Sequence, residues 1–414
     1  MSADGGDPFD SLPAAIAADV LGRVADGADI AAYCLASRAF LAASYACSRV
    51  HLRAAALARR RSVALAGGGG GGPPGGSAIR AAAGNAASLL GPHLRSLELD
   101  ASEGWGHPDD ATWVEEGEFD EGGDLHLTAR EAVVAWADTA AGNALREVDV
   151  ADYWPQSCWR KAEALPVISH FCHSLLKLRL KNAWLSVDGL KIMPNLTHLT
   201  LEFIRLDDED LNKLNECFPC LQILNLIGVG GLKDPKIHLH QLKTCHWELT
   251  VDKLGPNVQA DGLVSLKNLR IESLDLKSLL QVFAENHDIT TLELELPTST
   301  NKYELFEAVK PEYLLQLFAG ISEVKLAPRF SCEMTHCLML CTSNQFRSCL
   351  RRLLFHLPPL KDVPHLAPLF NNCAPSCEVT ILFHADSSDD IRQAATSVWT
   401  LRYPGIRWQW GTWN

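Results

Sequence analysis

No uninterrupted apolar stretch in these 414 residues is long enough to span a bilayer. The first ten residues are acidic and hold no apolar core, so no secretory leader is read there. Positive charge is in deficit: 37 Lys and Arg stand against 50 Asp and Glu, a formal net charge of -13. Binding along a phosphate backbone needs a positive surface, so nucleic acid is not an expected partner. There is no Gly-x-Ser-x-Gly elbow and no His-Glu-x-x-His run, and no catalytic constellation is expected. The 13 cysteines are scattered without a compact framework, which suits reduced, buried thiols. Together these absences predict a soluble protein of the nucleus or cytoplasm, with no cofactor and no membrane partner.

What the chain does have is repetition. Leucine-x-x-leucine-x-leucine occurs at Leu175, Leu196 and Leu221 in close succession, each copy ending in the alternation that a half-buried strand requires. Between copies lie return segments such as residues 207–218, where Leu211, Leu214 and Phe218 fall at helical spacing behind the cap candidates Asp207 and Asp208. Related copies start at Leu94, Leu145, Leu242, Ile271, Ile289, Ile321 and Leu350, and a weaker one is Val379-Ile381-Phe383. The Leu242 copy places Cys245 and Trp247 in apolar slots. A strand and a return segment recurring every few tens of residues predict a solenoid, whose variable returns leave the strand stack regular. At 414 residues the chain is too long for one ordinary core, and 47% hydrophobic residues exclude wholesale disorder.

Ahead of the repeats, Leu12-Pro13 reads as the start of a helix carrying Ile16, Val20, Leu21 and Val24, with Ser11 as the cap candidate. Asp26-Gly27 breaks it; a second helix is expected near Asp29-Ile30 and a third across Ser37-Arg38-Ala39-Phe40-Leu41. Three short helices cannot bury much apolar surface alone, so the surplus must be covered. Leu-Pro, the spaced aliphatics, Asp29-Ile30 and Ser37-Arg38-Ala39-Phe40 resemble an F-box, with Phe40 where tryptophan is frequent and Ser37 where cysteine is frequent. The bland alternative is a three-helix cap on the solenoid. Basic residues Arg49, Arg53, Arg59, Arg60 and Arg61 predict a helix with a solvated charged face, and the sharper alternative is a nuclear-import or phosphate-binding patch. Glycine-rich residues 67–76 lack the Gly-Lys-Ser/Thr ending of a phosphate loop and read as linker.

The repeats resemble the leucine-rich-repeat family across most of residues 90–385. The familiar asparagine or cysteine three residues past the last leucine is replaced by Ser102, Tyr153, Ala183, Ile204 and Val229. In such a solenoid parallel strands line the concave face and alternate residues point outward: here Glu98, Asp149, Arg179, Thr200, Asn225, Asp275, Glu293 and Lys325. Their mixed charge suits a protein partner better than one small anion. Residues 100–124 hold ten carboxylates, no Lys or Arg, and the aromatics Trp105, Trp113 and Phe119. This insertion is either a solvated loop or a protruding one whose tryptophans anchor a basic partner. Cys217 and Cys220 have metal-ligand spacing but adjoin a repeat strand, and Cys332, His336, Cys337 and Cys341 lack a matching second pair, so no metal site is expected. After residue 385, a stripe of Ile391, Ala394, Ala395, Val398 and Trp399 and an alternating Trp408-Gln409-Trp410 predict a closing cap.

The expected fold is therefore α/β: a small all-α F-box of about three helices with a following basic helix (8–61), a linker (62–78), a leucine-rich-repeat solenoid (79–385) and a cap (386–414). By the resemblance, the chain is a non-catalytic substrate-recognition subunit of an SCF ubiquitin ligase. Leu12, Pro13, Ile16, Val20, Leu21, Val24, Ile30 and Phe40 would meet a Skp-type adaptor, and through it a cullin-RING ligase, or support that contact. Trp105, Trp113, Arg179, Asn225 and Glu293 are the candidates for holding a protein substrate. The alternatives are an interaction scaffold outside any ligase and a small-molecule receptor on the concave face, which a pocket of converging Arg or Lys would favour.

Overall fold

The computed structural model describes residues 9, 12–57, 77–102, 124–232, 235–249, 263, 266–272, 276–283, 288–295, 320–328, 350–360, 363, 366, 370–371 and 373–414. Contacts divide the chain into two compact units, Met1–Leu221 with Val229–Gly231, and Gln222–Gly228 with Leu232–Asn414.

The first unit opens with three helices whose ends follow from single residues. Helix α1 (Ala14–Val24) starts after Pro13, which needs no amide partner there, and stops where Ala25 takes a left-handed conformation, φ 53°. Asp26 accepts from the amides of Ala28 and Asp29 to begin α2 (Gly27–Ala36), and Ser37 accepts from Phe40 to begin α3 (Arg38–Ser44). Their shared core is small: Ala17, Leu21, Ile30, Phe40 and Ala43. The rings of Phe9 and Tyr33 lie 5.1 and 5.6 Å from that of Phe40.

Residues Arg49–Arg53 correct the sequence reading, for they form a strand, β1, instead of the start of a basic helix. Val50 and Leu52 alternate inward and pair in parallel with Leu97 and Leu99, and that burial outweighs the helical leaning of the alanines that follow. Arg53 then reaches back to Asp26 at 2.6 Å, tying the strand to the cap of α2. Residues 58–76, holding most of the linker and Arg59 to Arg61, lie outside the described residues.

Beyond β1 the unit is a parallel stack in sequence order: β2 (Ser96–Asp100), β3 (Glu147–Ala151), β5 (Lys177–Leu185) and β6 (His198–Arg205), with the short β4 (Lys161–Ala162) against β5. Helices α4 (Ala78–Leu90), α5 (Arg130–Ala137), the single turn α6 (Trp154–Ser157), α7 (Ala164–Phe171) and α8 (Asp208–Cys217) make the returns. All three leucines of each pattern are buried, as with Leu175, Leu178 and Leu180, because each strand meets its neighbours in register and its return behind. Asp207 caps α8 by accepting from the Asp210 amide, and Leu211, Leu214 and Phe218 are buried, as the spacing predicts.

The second unit stacks β7 (Ile223–Val229), β8 (Thr244–Leu249), β9 (Asn268–Glu272), β10 (Thr291–Glu295), β11 (Glu323–Leu326), β12 (Leu350–Leu357), β13 (Cys373–His384) and β14 (Arg407–Trp413), again parallel and in order. The copy with Cys245 and Trp247 is a strand: both are fully buried and pair with Leu269 and Ile271. The copy placed at Ile271 starts earlier, at Leu266, since Leu266, Leu269 and Ile271 are the buried trio and helix α9 (Leu276–Phe283) follows. Val379, Ile381 and Phe383 are all buried in β13. Helix α10 (Asp389–Arg402) and β14 close this unit with a ring cluster, Trp408 stacked on Trp410 at 5.0 Å and Phe370 edge-on to Trp399 at 5.6 Å. Of the helical stripe, Ala395 and Trp399 face inward while Ala394 and Val398 face solvent.

Candidate functional site

Two places on the described chain have the composition of a recognition surface, and a third gathers buried polar residues. The first is the outer side of the N-terminal helices. Ile16 and Val20, one turn apart on α1, are 50% and 38% exposed, and Pro13 precedes them in the open. Tyr33, Leu35, Leu41 and Tyr45 add exposed apolar surface on α2, on α3 and just past its end. Leu21, Ile30 and Phe40 instead form the core under this surface, and Leu12 and Val24 are half-buried. Exposure thus separates the two roles that the sequence leaves merged, contact and support.

The second place is the open face of each strand stack. In the first unit Arg179 on β5 bridges Asp149 on β3 at 3.0 Å and Glu202 on β6 at 2.5 Å, and Lys181 adds 2.7 Å to Glu202. Register creates this ladder, because Asp149, Arg179 and Thr200 stand opposite one another, with Glu202 two residues further along. Burial pushes the Asp149 carboxyl up, with Arg179 opposing only part of that rise. Burial would raise Glu202 too, but hydrogen bonds from Lys181 and Arg179 outweigh it and hold the carboxyl below its ordinary value. Glu202 therefore contributes stability that is present above its unfolded value near 4.5 and is lost as pH falls through the folded one. The urea midpoint of Glu202→Gln should lie below wild type at pH 7, and the gap should narrow as pH falls below about 4.5; a gap independent of pH would contradict the ion pairing.

In the second unit Arg270 meets Glu293 at 2.5 Å and takes the outward slot of β9, while Asp275 lies outside the described residues. Asn225 is half-buried on β7. Trp105 and Trp113, with most of the acidic insertion, lie outside the described residues, as do Cys332, His336, Cys337 and Cys341. At the starts of β12 and β14, a cavity of about 510 Å³ is lined by Arg351, Arg352, Arg407, Ser376, Cys377 and Glu378. Arg352 pairs with Glu323 at 3.3 Å, whereas Arg407 gives its Nε to the Ser376 carbonyl.

The third place is a buried knot where the acidic insertion returns. Asp152, past the end of β3, accepts from the amides of Leu127 and Thr128 and from the Thr128 hydroxyl, and lies 3.1 Å from His126 Nδ1. Asp124 is held between Arg80 at 3.0 Å and Arg160 at 3.1 Å. Asn182, at φ 60°, donates to the Asp152 carbonyl and accepts from Ser157 Oγ at its own carbonyl. Sequence reasoning missed these residues because it sought a polar residue three places past the last core residue. Asp152 and Asn182 stand two places past it, where Phe203 (φ 51°) and Gly228 (φ 59°) repeat the left-handed turn. Their hydrogen bonds fix the backbone on either side, so the knot is structural.

Comparison with known proteins agrees with this geometry. A family model described as the LRR repeats of FBD-associated F-box protein At5g56370 matches residues 133–274. The F-box/LRR-repeat protein At4g29420 of Arabidopsis thaliana is 35% identical over 336 residues, covering 70% of this chain and 75% of the relative. With parallel leucine-rich strands behind a capped three-helix module, and a relative alike over most of both chains, this chain belongs to the F-box/leucine-rich-repeat family.

Proposed function

We propose that the chain is the substrate-recognition subunit of an SCF ubiquitin ligase, its helical module docking on a Skp-type adaptor and its repeats holding a protein substrate. The observation that carries this reading is the apolar outer surface of the module, with Ile16 half-exposed and Leu35 91% exposed. A module serving only as a cap would turn such residues inward, and a family of F-box proteins supplies a reason to leave them out. The protein would act by proximity, holding a substrate lysine near a charged conjugating enzyme, and would contribute no catalytic residue. A nuclear or cytoplasmic location belongs to the same proposal, and the buried free thiols of Cys172 and Cys245 suit a reducing compartment.

The test is binding of the purified chain to a Skp-type adaptor, wild type beside Leu12→Ala/Ile16→Ala. Removing two aliphatic contacts should cost about 2–4 kcal/mol, roughly thirty- to several-hundred-fold in affinity. Ile16 is exposed and Leu12 half-buried, so Ile16→Ala alone should keep the wild-type melting temperature and serves as the folded control. Absence of wild-type binding where a known F-box binds would return the module to a cap. A second reading is favoured by the arginine-lined cavity of β12 to β14, which suits a small anionic ligand. Arg351→Ala/Arg407→Ala changing partner binding only in the presence of such an anion would support it.

A further inference from the structure

Strand β8 carries His246 and Glu248 two residues apart, on one side of the pleat. Parallel pairing sets His246 opposite Arg270 and Glu248 opposite Glu272 on β9. One ligating atom from each of His246, Glu248 and Glu272 lies within 4.8 Å of the other two. Arg270 approaches Glu272 only to 3.8 Å, while its other guanidinium nitrogen is engaged by Glu293 at 2.5 Å. Glu272 is 8% exposed, and His246 Nε2 is buried with no hydrogen-bond partner among the described residues.

We propose that His246, Glu248 and Glu272 bind a divalent transition cation of the zinc class. One imidazole nitrogen with two carboxylate oxygens is a donor set that zinc accepts at about 2.0–2.2 Å, and long glutamate side chains can close the remaining distance by changing rotamer. Magnesium and calcium favour oxygen-only sets, so the imidazole selects against them. Arg270 carries the opposing charge beside the site, and its pairing with Glu293 offsets that charge. Neighbouring Cys245 alternates to the buried side of the strand and takes no part. Three protein ligands leave the fourth position to water.

The experiment titrates the full chain, stripped by a chelator, with cobalt(II) and then zinc. One equivalent of cobalt should bind with weak visible d–d bands and without the strong near-ultraviolet band of a thiolate ligand, and zinc should displace it. His246→Ala and Glu248→Gln should each weaken binding at least about ten-fold, with the metal-free melting temperature unchanged. The exposed pair His238 and His240, ring centroids 4.5 Å apart, is the competing site, and His240→Ala should leave binding intact. Equal binding in the His246 and Glu248 variants, a thiolate band, or no binding at ~100 μM metal overturns the assignment.

Discussion

Asp152→Ala should destabilise the first unit by about 3–5 kcal/mol, the range expected when one partner of a buried, hydrogen-bonded charge is removed. Its carboxylate is fully buried and serves two amides, a hydroxyl and an imidazole nitrogen. Deleting it strands the Leu127 and Thr128 amides away from water, at about 1–3 kcal/mol for each unsatisfied group. Asp152→Asn should cost less, because one oxygen still accepts while the new NH2 faces donors. Thr128→Val removes a single hydroxyl bond and should cost least, near 1 kcal/mol. The check is thermal unfolding of the full chain: for a unit of this size the alanine variant should lower its transition by roughly ten degrees. If two transitions are resolved, only one should move. A shift below two degrees, or equal shifts for all three variants, would show that the carboxylate does not hold the returning chain.

That knot also marks how far the sequence was legible. Leucine spacing locates strands because period-two burial leaves a direct trace: Leu94, Leu145, Leu175, Leu196 and Leu221 all begin buried trios or lie at their start. Capping is equally local, so Asp207 acts where its side chain predicts. The trace fails where two local preferences compete. At β9 the sequence offers overlapping patterns, Leu266 to Ile271 and Ile271 to Leu276, and only the parallel partner on β8 decides between them. At β1 alternation spans a few residues followed by alanines, and pairing with β2 settles the strand. The site is less legible than the fold. Exposure of Ile16 against burial of Leu21 depends on how α1 and α3 pack, and the facing of Glu248 and Glu272 depends on strand register. Neither is written in spacing alone.

The second large effect is expected at Trp247, where an indole occupies the slot that leucine fills in better-formed repeats. It is fully buried, so Trp247→Ala should cost about 3–5 kcal/mol through lost contact and an unfilled cavity. Its Nε1 donor, however, is buried with no partner among the described residues. An unsatisfied buried donor costs about 1–3 kcal/mol, so the native residue carries a penalty alongside its packing. Trp247→Phe removes that donor while keeping most of the ring, and the two changes should nearly cancel. Trp247→Leu restores the residue type of the pattern but leaves a void of several methylenes, and should fall between. The ordering Phe, Leu, Ala in increasing loss separates packing from hydrogen bonding, and urea midpoints at pH 7 measure it. A phenylalanine variant as unstable as the alanine one would mean that the indole N–H is satisfied in solution. An alanine variant within 1 kcal/mol of wild type would mean that Cys245 and its neighbours close the gap, and that this repeat keeps its strand without a large side chain at its centre.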